Sequence, residues 1–193
     1  FYYFMFITID EIIAIVVMTF AIGYIFSTFI KRAPTEGYDP LTYYDKNPFW
    51  EDLKFGAMVA APAVVFHELA HKFVAMGFGA VATLHAPYSL YAIVIVMRML
   101  NFPLLFFVGG YVTHTPLPYL QSALVSVAGP LTNLVIWGLC LFLIRGKLVN
   151  RKYYRMLGIS AKLNLFLCVF NMIPIPGFDG FHFFRSLIMW FGF

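Results

Sequence analysis

Two histidines and a glutamate lie close together in the segment Val65-Phe66-His67-Glu68-Leu69-Ala70-His71. Residues four positions apart share one face of an α-helix, so the imidazoles of His67 and His71 can hold one metal ion. Glu68 lies beside them, about 60 degrees around the helix from His71, where it can act as a general base toward water at the metal. This HExxH spacing is typical of zinc hydrolases.

The alternative interpretation is that these are two hydrogen-bonded core histidines and that the glutamate is there by chance. The surrounding sequence argues against it, because the motif lies in the apolar run 55–78. An ionised glutamate in the middle of a bilayer costs about 2.5 to 3.5 kcal/mol on insertion scales. Ionisable groups in such segments are therefore functional-site candidates, and we favour metal binding.

A third ligand is expected, because a catalytic zinc usually has three protein ligands and one open position. Asp179 is the only carboxylate that follows Glu68 in the sequence, and it lies near the end of the segment 171–180, which contains two prolines and two glycines. Such a segment cannot continue a helix, and unwound backbone inside an apolar region is tolerated where it lines a cavity. We therefore predict that Asp179 is the third ligand of one zinc ion per chain.

Other roles are open for the residues of this region. Asp179 is also a favourable N-cap for a helix that begins near residue 181. His182, three residues further on, is the main rival ligand. Asn171 can donate a hydrogen bond to a developing oxyanion, or it can satisfy backbone groups freed by the prolines, and the sequence favours neither role.

The composition is that of a membrane protein. Of 193 residues, 62% are hydrophobic and 11% are charged, and the mean hydropathy is +0.82. Soluble domains carry about 25% charged residues. We predict an all-α polytopic protein of the cell membrane with four to six spans. Because the formal net charge of +4 is modest and its basic residues flank apolar runs, the expected partner is the lipid bilayer and not nucleic acid.

The apolar segments divide the chain into a first span with an interfacial loop, residues 1–54, and a core, residues 55–193. Clear spans are predicted over 12–30, 55–78 and 119–144, and a further helix over 157–170 before the break. The basic residues that follow the span 119–144 predict a cytoplasmic loop. The region 84–115, whose part 91–108 is apolar enough to insert, is compatible with a full span, a re-entrant element or a short sheet, and an irregular element is favoured.

The chain resembles the site-2 proteases, a family of intramembrane zinc metalloproteases. Three motifs carry the resemblance, in the family's order: His67-Glu68-Leu69-Ala70-His71 with Gly77, Ala128-Gly129-Pro130-Leu131, and Asn171, Pro174 and Asp179-Gly180. The resemblance covers the chain from about residue 55 onward and implies a core of three transmembrane helices around zinc. Pro176 departs from the family pattern, which more often has Pro or Leu just before Asp-Gly.

The resemblance also implies roles for individual residues. His67, His71 and Asp179 would bind the zinc ion, Glu68 would act as general base, and Asn171 would hold the substrate or the oxyanion. The reaction would be hydrolysis of peptide bonds in membrane proteins or transmembrane peptides, which are the implied partners.

A helical substrate must unwind before it is cut, and an apolar β-prone segment near the site can hold it extended by strand addition. The predicted segment consists of Gly110, Tyr111, Val112 and Thr113, and the alternative for it is a simple connecting turn.

Two other functions are compatible with the metal motif. The first is a catalytically silent relative, a metal-binding membrane scaffold, but a structural zinc site normally has four protein ligands and needs no base such as Glu68. The second is a zinc peptidase that trims prenylated proteins. Enzymes of that class have a similar HExxH helix, but their third zinc ligand is a Glu further along the chain. No Glu follows Glu68 in this sequence.

Overall fold

A computed structural model describes residues 6–27, 48–100, 102 and 109–192 of the chain. The described residues form six α-helices, a short 3-10 helix and two strands. The helices are α1 (Ile9–Phe26), α2 (Pro48–Gly77), α3 (Tyr88–Met99), α4 (Tyr119–Arg145), α5 (Tyr154–Asn171) and α6 (Asp179–Trp190), the 3-10 helix is Arg151–Tyr153, and the strands are β1 (Ala82–His85) and β2 (Tyr111–His114).

Three of these helices, α1, α2 and α4, are long and apolar enough to cross a membrane. The structure therefore confirms the predicted class, a helical protein with membrane-length helices and a small β element. Helix α5 has 18 residues but is less apolar, since it contains Lys162 and Asn164. Helix α2 begins at residue 48, seven residues before the predicted span, because the preceding residues up to Lys54 continue the same helix.

Helix α2 is the central element of the fold. It packs against α1 on one side and α4 on the other, and α4 in turn packs against α5 and α6. The main apolar core lies between α1 and α2 and includes Met18, Ile22 and Val64, all of which are buried. Leu84 of β1 and Leu167 of α5 extend the same core. The motif of α2 thus lies beside the main apolar core, against which Val65 and Leu69 pack.

The two strands form an antiparallel sheet in which Ala82 pairs with His114 and His85 with Tyr111. The sheet corresponds to the third possibility for the region 84–115, and between its strands the chain forms helix α3. With 12 residues, α3 is too short to cross about 30 Å of hydrocarbon. Residues 103–108 of the predicted segment lie outside the described residues, as do 28–47, which include most of the predicted interfacial loop.

The predicted break after α5 is present. Helix α5 ends at Asn171, residues 172–178 are not helical, and α6 begins at Asp179. Gly177 within the break has a φ of +100°, a conformation that residues with a side chain rarely adopt. The break changes the direction of the chain, so that the first turn of α6 faces the histidines of α2.

Candidate metal centre

Three side chains from two helices meet at one point of the structure. The Nε2 atoms of His67 and His71 are 3.1 Å apart. Asp179 Oδ2 lies 3.0 Å from His67 Nε2, and Asp179 Oδ1 lies 3.3 Å from His71 Nε2. Among the described residues this is the one cluster of three or more His, Cys, Asp or Glu side chains that could hold a metal ion.

The other nitrogen of each imidazole has a hydrogen-bond acceptor. His67 Nδ1 lies 2.7 Å from Asn133 Oδ1, and His71 Nδ1 lies 2.7 Å from the Val125 carbonyl oxygen. Because a carbonyl oxygen can only accept, each Nδ1 must carry the proton and donate it. The unprotonated Nε2 atoms therefore face each other and Asp179, which is the tautomer that metal-binding histidines adopt.

The geometry of this cluster fits zinc. Three acceptor atoms that converge without a proton between them repel one another unless a cation lies among them. Zinc bonds of about 2.0 to 2.1 Å in a tetrahedron place neighbouring ligand atoms about 3.3 Å apart. The separations of 3.0 to 3.3 Å between the nitrogens and the carboxylate oxygens are close to that value. A pair of histidines with one carboxylate is a known catalytic zinc set.

Helix α4 approaches the cluster through a glycine. A Cβ atom added to Gly129 would lie 2.6 Å from both Cε1 and Nε2 of His67, and it would also overlap His71. Any side chain at this position would occupy the space next to the ligand atoms. Gly129 therefore allows α4 to lie directly against the two imidazoles, which is also what brings the Val125 carbonyl within reach of His71.

A buried chain of amides supports His67. Asn133 and Asn164 are both completely buried. Asn133 Nδ2 donates to Asn164 Oδ1 at 3.0 Å and to the Ala63 carbonyl at 3.2 Å, and Asn164 Nδ2 donates to the Ser160 carbonyl at 2.8 Å. Because both amide hydrogens of Asn133 are used, its oxygen is fixed as the acceptor from His67. The chain links α2, α4 and α5.

Glu68 is buried beside the histidines and is not one of the three clustered side chains. The backbone of Gly110 lies close against its side chain. A Cβ at Gly110 would lie 3.1 Å from Glu68 Cγ, so a larger residue would displace the Glu68 side chain. The segment before β2 thus holds Glu68 in place, and Glu68 lines the same cavity as both histidines.

A second buried carboxylate, that of Glu11, pairs with Lys72, the residue that directly follows the motif. Lys72 Nζ contacts both carboxylate oxygens of Glu11 at 2.5 Å, and both side chains are about 1% exposed. Glu11 also accepts hydrogen bonds from the backbone N–H groups of Leu84 and Thr8, each at 2.8 Å. This ion pair joins the start of α1, the motif helix α2 and strand β1.

The metal cluster opens into a cavity of about 640 Å³. Of the predicted substrate-binding residues, Gly110, Tyr111, Val112 and Asn171 line this cavity. Thr113 is not among the lining residues; it lies in β2, and its hydroxyl is 2.9 Å from His85 Nε2. Strand β2 replaces the simple turn that was the alternative for this segment, and the roles of these residues in binding remain predictions.

The structure bears on two alternatives, Asp179 as a helix cap and His182 as a metal ligand. The N-cap position of α6 is occupied by Phe178, and the Asp179 carboxylate contacts the histidines. Asp179 is therefore the first residue of the helix and does not cap it. His182 lies one turn further along α6 and lines the cavity, but it is not part of the metal cluster.

Sequence reasoning missed four contributors to this site. They are Asn133, the Val125 carbonyl, the backbone of Gly110 and the pair of Glu11 with Lys72. Each acts either from 54 to 66 residues away in the sequence or through the backbone. One signal was present, because Asn133, Asn164, Glu11 and Lys72 are polar residues inside apolar segments. The backbone contacts have no signature in the side-chain sequence.

Comparisons with known proteins give the following relatives. A provisionally named zinc metalloprotease of Methanocaldococcus jannaschii, MJ0611, is 35% identical over 123 residues, 60% of this chain and 61% of that protein. Zinc metalloprotease MJ0392 of the same organism is 27% identical over 77% of this chain and 38% of its own length. A provisionally named zinc metalloprotease of Bacillus subtilis, YwhC, is 31% identical over 63% of this chain and 64% of its own length.

The chain thus spans less than two thirds of the length of each of these relatives. No family model matches it, and no solved structure matches it.

Proposed function

We propose that this protein is a zinc-dependent endopeptidase of the site-2 protease type, which hydrolyses peptide bonds in or near transmembrane segments of membrane proteins. The observation that carries the proposal is the convergence of His67, His71 and Asp179 at zinc-ligand separations, with Glu68 buried beside them. The relatives named zinc metalloproteases support the protease part of the proposal.

The chain's own residues suggest how the reaction proceeds. A zinc ion bound by the three ligands would act as a Lewis acid toward water and the substrate carbonyl. Glu68, packed against Gly110, removes a proton from the attacking water. As the C–N bond breaks, Glu68 returns that proton to the leaving amine, so that one water molecule is consumed for each bond cut. Asn171 on the cavity wall has an amide that can donate to the developing oxyanion.

Strand β2 offers a place for an unwound substrate. In the described part of the chain, β2 pairs with β1 along one edge and with no strand along the other. Tyr111 and Val112 of this strand line the cavity together with Glu68. A substrate in extended conformation would pair with the open edge through backbone hydrogen bonds, which expose its carbonyls in a way that a helix does not.

The setting of the site supports cleavage within the membrane. Helices α1, α2 and α4 have the length and composition of membrane spans, and the motif lies in α2. His67 is 19 residues after the start of α2, which corresponds to about 28 Å along the helix axis. Water needed for hydrolysis would reach this depth through the 640 Å³ cavity, which is lined by both polar and apolar side chains.

A catalytically silent scaffold is the competing function. It would be favoured by a closed site with four protein ligands. In the described residues the cluster has three members, and Glu68, which a structural zinc site would not need, is buried beside it. The geometry therefore favours an enzyme.

The proposal is tested with Glu68→Gln in purified protein and a reporter peptide whose transmembrane segment contains helix-breaking residues. We expect cleavage to fall by at least a thousandfold while about one zinc per chain is retained, because the ligands are intact but the proton acceptor is lost. Glu51→Gln is the matched control, since it is the same change in the same helix about 25 Å away. Cleavage retained by Glu68→Gln would remove Glu68 from the mechanism. Zinc binding without cleavage of any membrane peptide by the native sequence would favour the scaffold.

A further inference from the structure

Helix α6 presents a row of polar side chains to the cavity beyond the metal cluster. Asp179, His182, Arg185, Ser186 and Met189 all line the cavity. Their spacing of three, three, one and three residues places them on one face of the helix. The helix is strongly amphipathic, and the polar side of the cavity wall is therefore continuous from the metal ligand Asp179 to Arg185.

Arg185 carries a charge that no described residue neutralises. The Asp179 carboxylate is engaged by the two histidines, and it is the only acidic residue after Glu68 in the whole sequence. No ion pair to Arg185 exists within the described ranges. His182 and His114 also line the cavity, and their side chains add nitrogen atoms but no negative charge.

The charges at the two ends of the cavity therefore differ. At the metal end, a zinc ion would carry two positive charges, which the carboxylates of Asp179 and Glu68 balance. Further along α6, the guanidinium of Arg185 has no counter-ion from the described part of the chain. A guanidinium presents a fork of N–H donors that matches a carboxylate, and such pairs are among the strongest hydrogen-bonded contacts in proteins.

We propose that Arg185, with His182 and Ser186 beside it, binds a carboxylate of the peptide substrate and so selects substrates with an acidic residue at a fixed distance from the cut bond. This inference rests on the proposed protease function. It goes further, because it assigns to this chain a preference in substrate sequence.

The helix geometry sets that distance. Arg185 is six residues beyond Asp179, which corresponds to about 9 Å along α6. An extended peptide advances about 3.3 Å per residue. A substrate that passes from the metal cluster along this wall would therefore bring the side chain of its third residue from the cut bond, within one position, next to Arg185.

The test uses a set of otherwise identical transmembrane peptides that carry a single Glu, moved from the fourth residue before the cut bond to the fourth residue after it. A matched set carries Gln. For the native sequence we expect kcat/KM to be at least tenfold higher for Glu than for Gln at one position, about three residues from the cut bond, and nearly equal elsewhere.

The variants decide whether Arg185 is responsible. In Arg185→Gln the ratio of kcat/KM between the Glu and Gln peptides should fall to about one, and in Arg185→Glu a peptide with Lys at that position should be preferred. Arg151→Gln is the matched control, because it removes the same charge from an exposed residue that does not line the cavity, and it should leave the ratio unchanged.

A binding measurement separates this inference from the proposed function. Zinc-loaded Glu68→Gln protein is titrated with the same peptides by fluorescence anisotropy. We expect tighter binding of the Glu peptide, lost in the double variant with Arg185→Gln. If nothing is cleaved but this preference is present, the protease proposal fails and the carboxylate site stands. A ratio of one in the native protein, or a preference that survives Arg185→Gln, overturns the carboxylate site. Loss of the preference only when anionic lipids are added would assign Arg185 to lipid headgroups and overturn it too.

Discussion

Each imidazole of the metal cluster is held by a hydrogen bond at Nδ1, which leaves Nε2 available to a metal ion. The contact at Nδ1, to Asn133 or to the Val125 carbonyl, fixes the ring plane and the position of the proton. The free Nε2 lone pairs then point at one place. Such supporting contacts typically account for 10 to 100-fold in metal affinity. The chemistry of the site therefore depends on residues of α4 and α5 as well as on the motif in α2.

Substitutions of Asp179 and His182 should have opposite effects on metal binding. Asp179→Ala should remove one of three ligands, so we expect zinc content in the purified protein to fall well below one per chain. His182→Ala should retain about one zinc per chain, because the side chain lines the cavity and takes no part in the cluster. Metal analysis after dialysis against a weak chelator measures both. Full zinc occupancy in Asp179→Ala would show that the ligand set is wrong.

Sequence reasoning was most effective where a residue type is costly in its surroundings. His67, Glu68, His71 and Asp179 are ionisable groups in apolar segments, where such groups mainly occur if they bind an ion or take part in chemistry. It could not find the contacts of the Val125 carbonyl or of the Gly110 backbone, because every residue has a backbone and only the fold selects which part of it meets the site. It also misplaced the start of α2, since the first turns of a helix are polar enough to resemble a loop.

Among the secondary-structure elements, helix α4 packs directly against both histidines of α2 and leaves no room there for a side chain at Gly129. It contributes no metal ligand, yet it touches both histidines through Gly129, the Val125 carbonyl and Asn133. Pro130 follows directly and has no N–H to donate to the preceding turn. Because Gly129 has no side chain, this helix can lie directly against the two imidazoles of α2.

The prediction at this scale compares two glycines of α4. Gly129→Ala places a methyl group against the imidazoles, so α4 must move away, and overpacking of this kind costs about 1 to 3 kcal/mol. We expect a lower unfolding temperature and reduced zinc content. Gly138→Ala is the control, because a Cβ there meets nothing within 4 Å. The control should keep its zinc and be equally or more stable, since Ala is the better helix former. Equal behaviour of the two variants in thermal unfolding and metal analysis would contradict the packing argument.

For the molecule as a whole, the pair of Glu11 and Lys72 connects parts that are 61 residues apart in the sequence. It lies next to His71, and Glu11 also holds the backbone of β1 through Leu84. Strand β1 in turn pairs with β2, which follows Gly110 and its contact to Glu68. The first helix is therefore linked to Glu68, the proposed general base, through a continuous path of described contacts.

This pair predicts a particular pattern of stability. Lys72→Met leaves the Glu11 carboxylate buried without its cation, which typically costs about 3 to 5 kcal/mol of unfolding free energy. Adding Glu11→Gln should recover most of that loss, because Gln is neutral and its oxygen can still accept from Leu84. Asp10→Asn, a change at the exposed neighbouring position, should alter stability by less than about 1 kcal/mol. Denaturation in detergent measures all three. A double variant no more stable than Lys72→Met would refute the charge-burial explanation.

The wide separation of the ligands in the sequence has a consequence for how the protein is made. His67 and Asp179 are 112 residues apart. Ribosomes add residues one after another, so a nascent chain holds only the two imidazoles until α6 has been synthesised and has docked on α2 and α4. Two histidines bind zinc far more weakly than the complete set. We therefore expect the metal to be captured late in biogenesis, so that the proposed peptidase activity would arise only after α6 has docked.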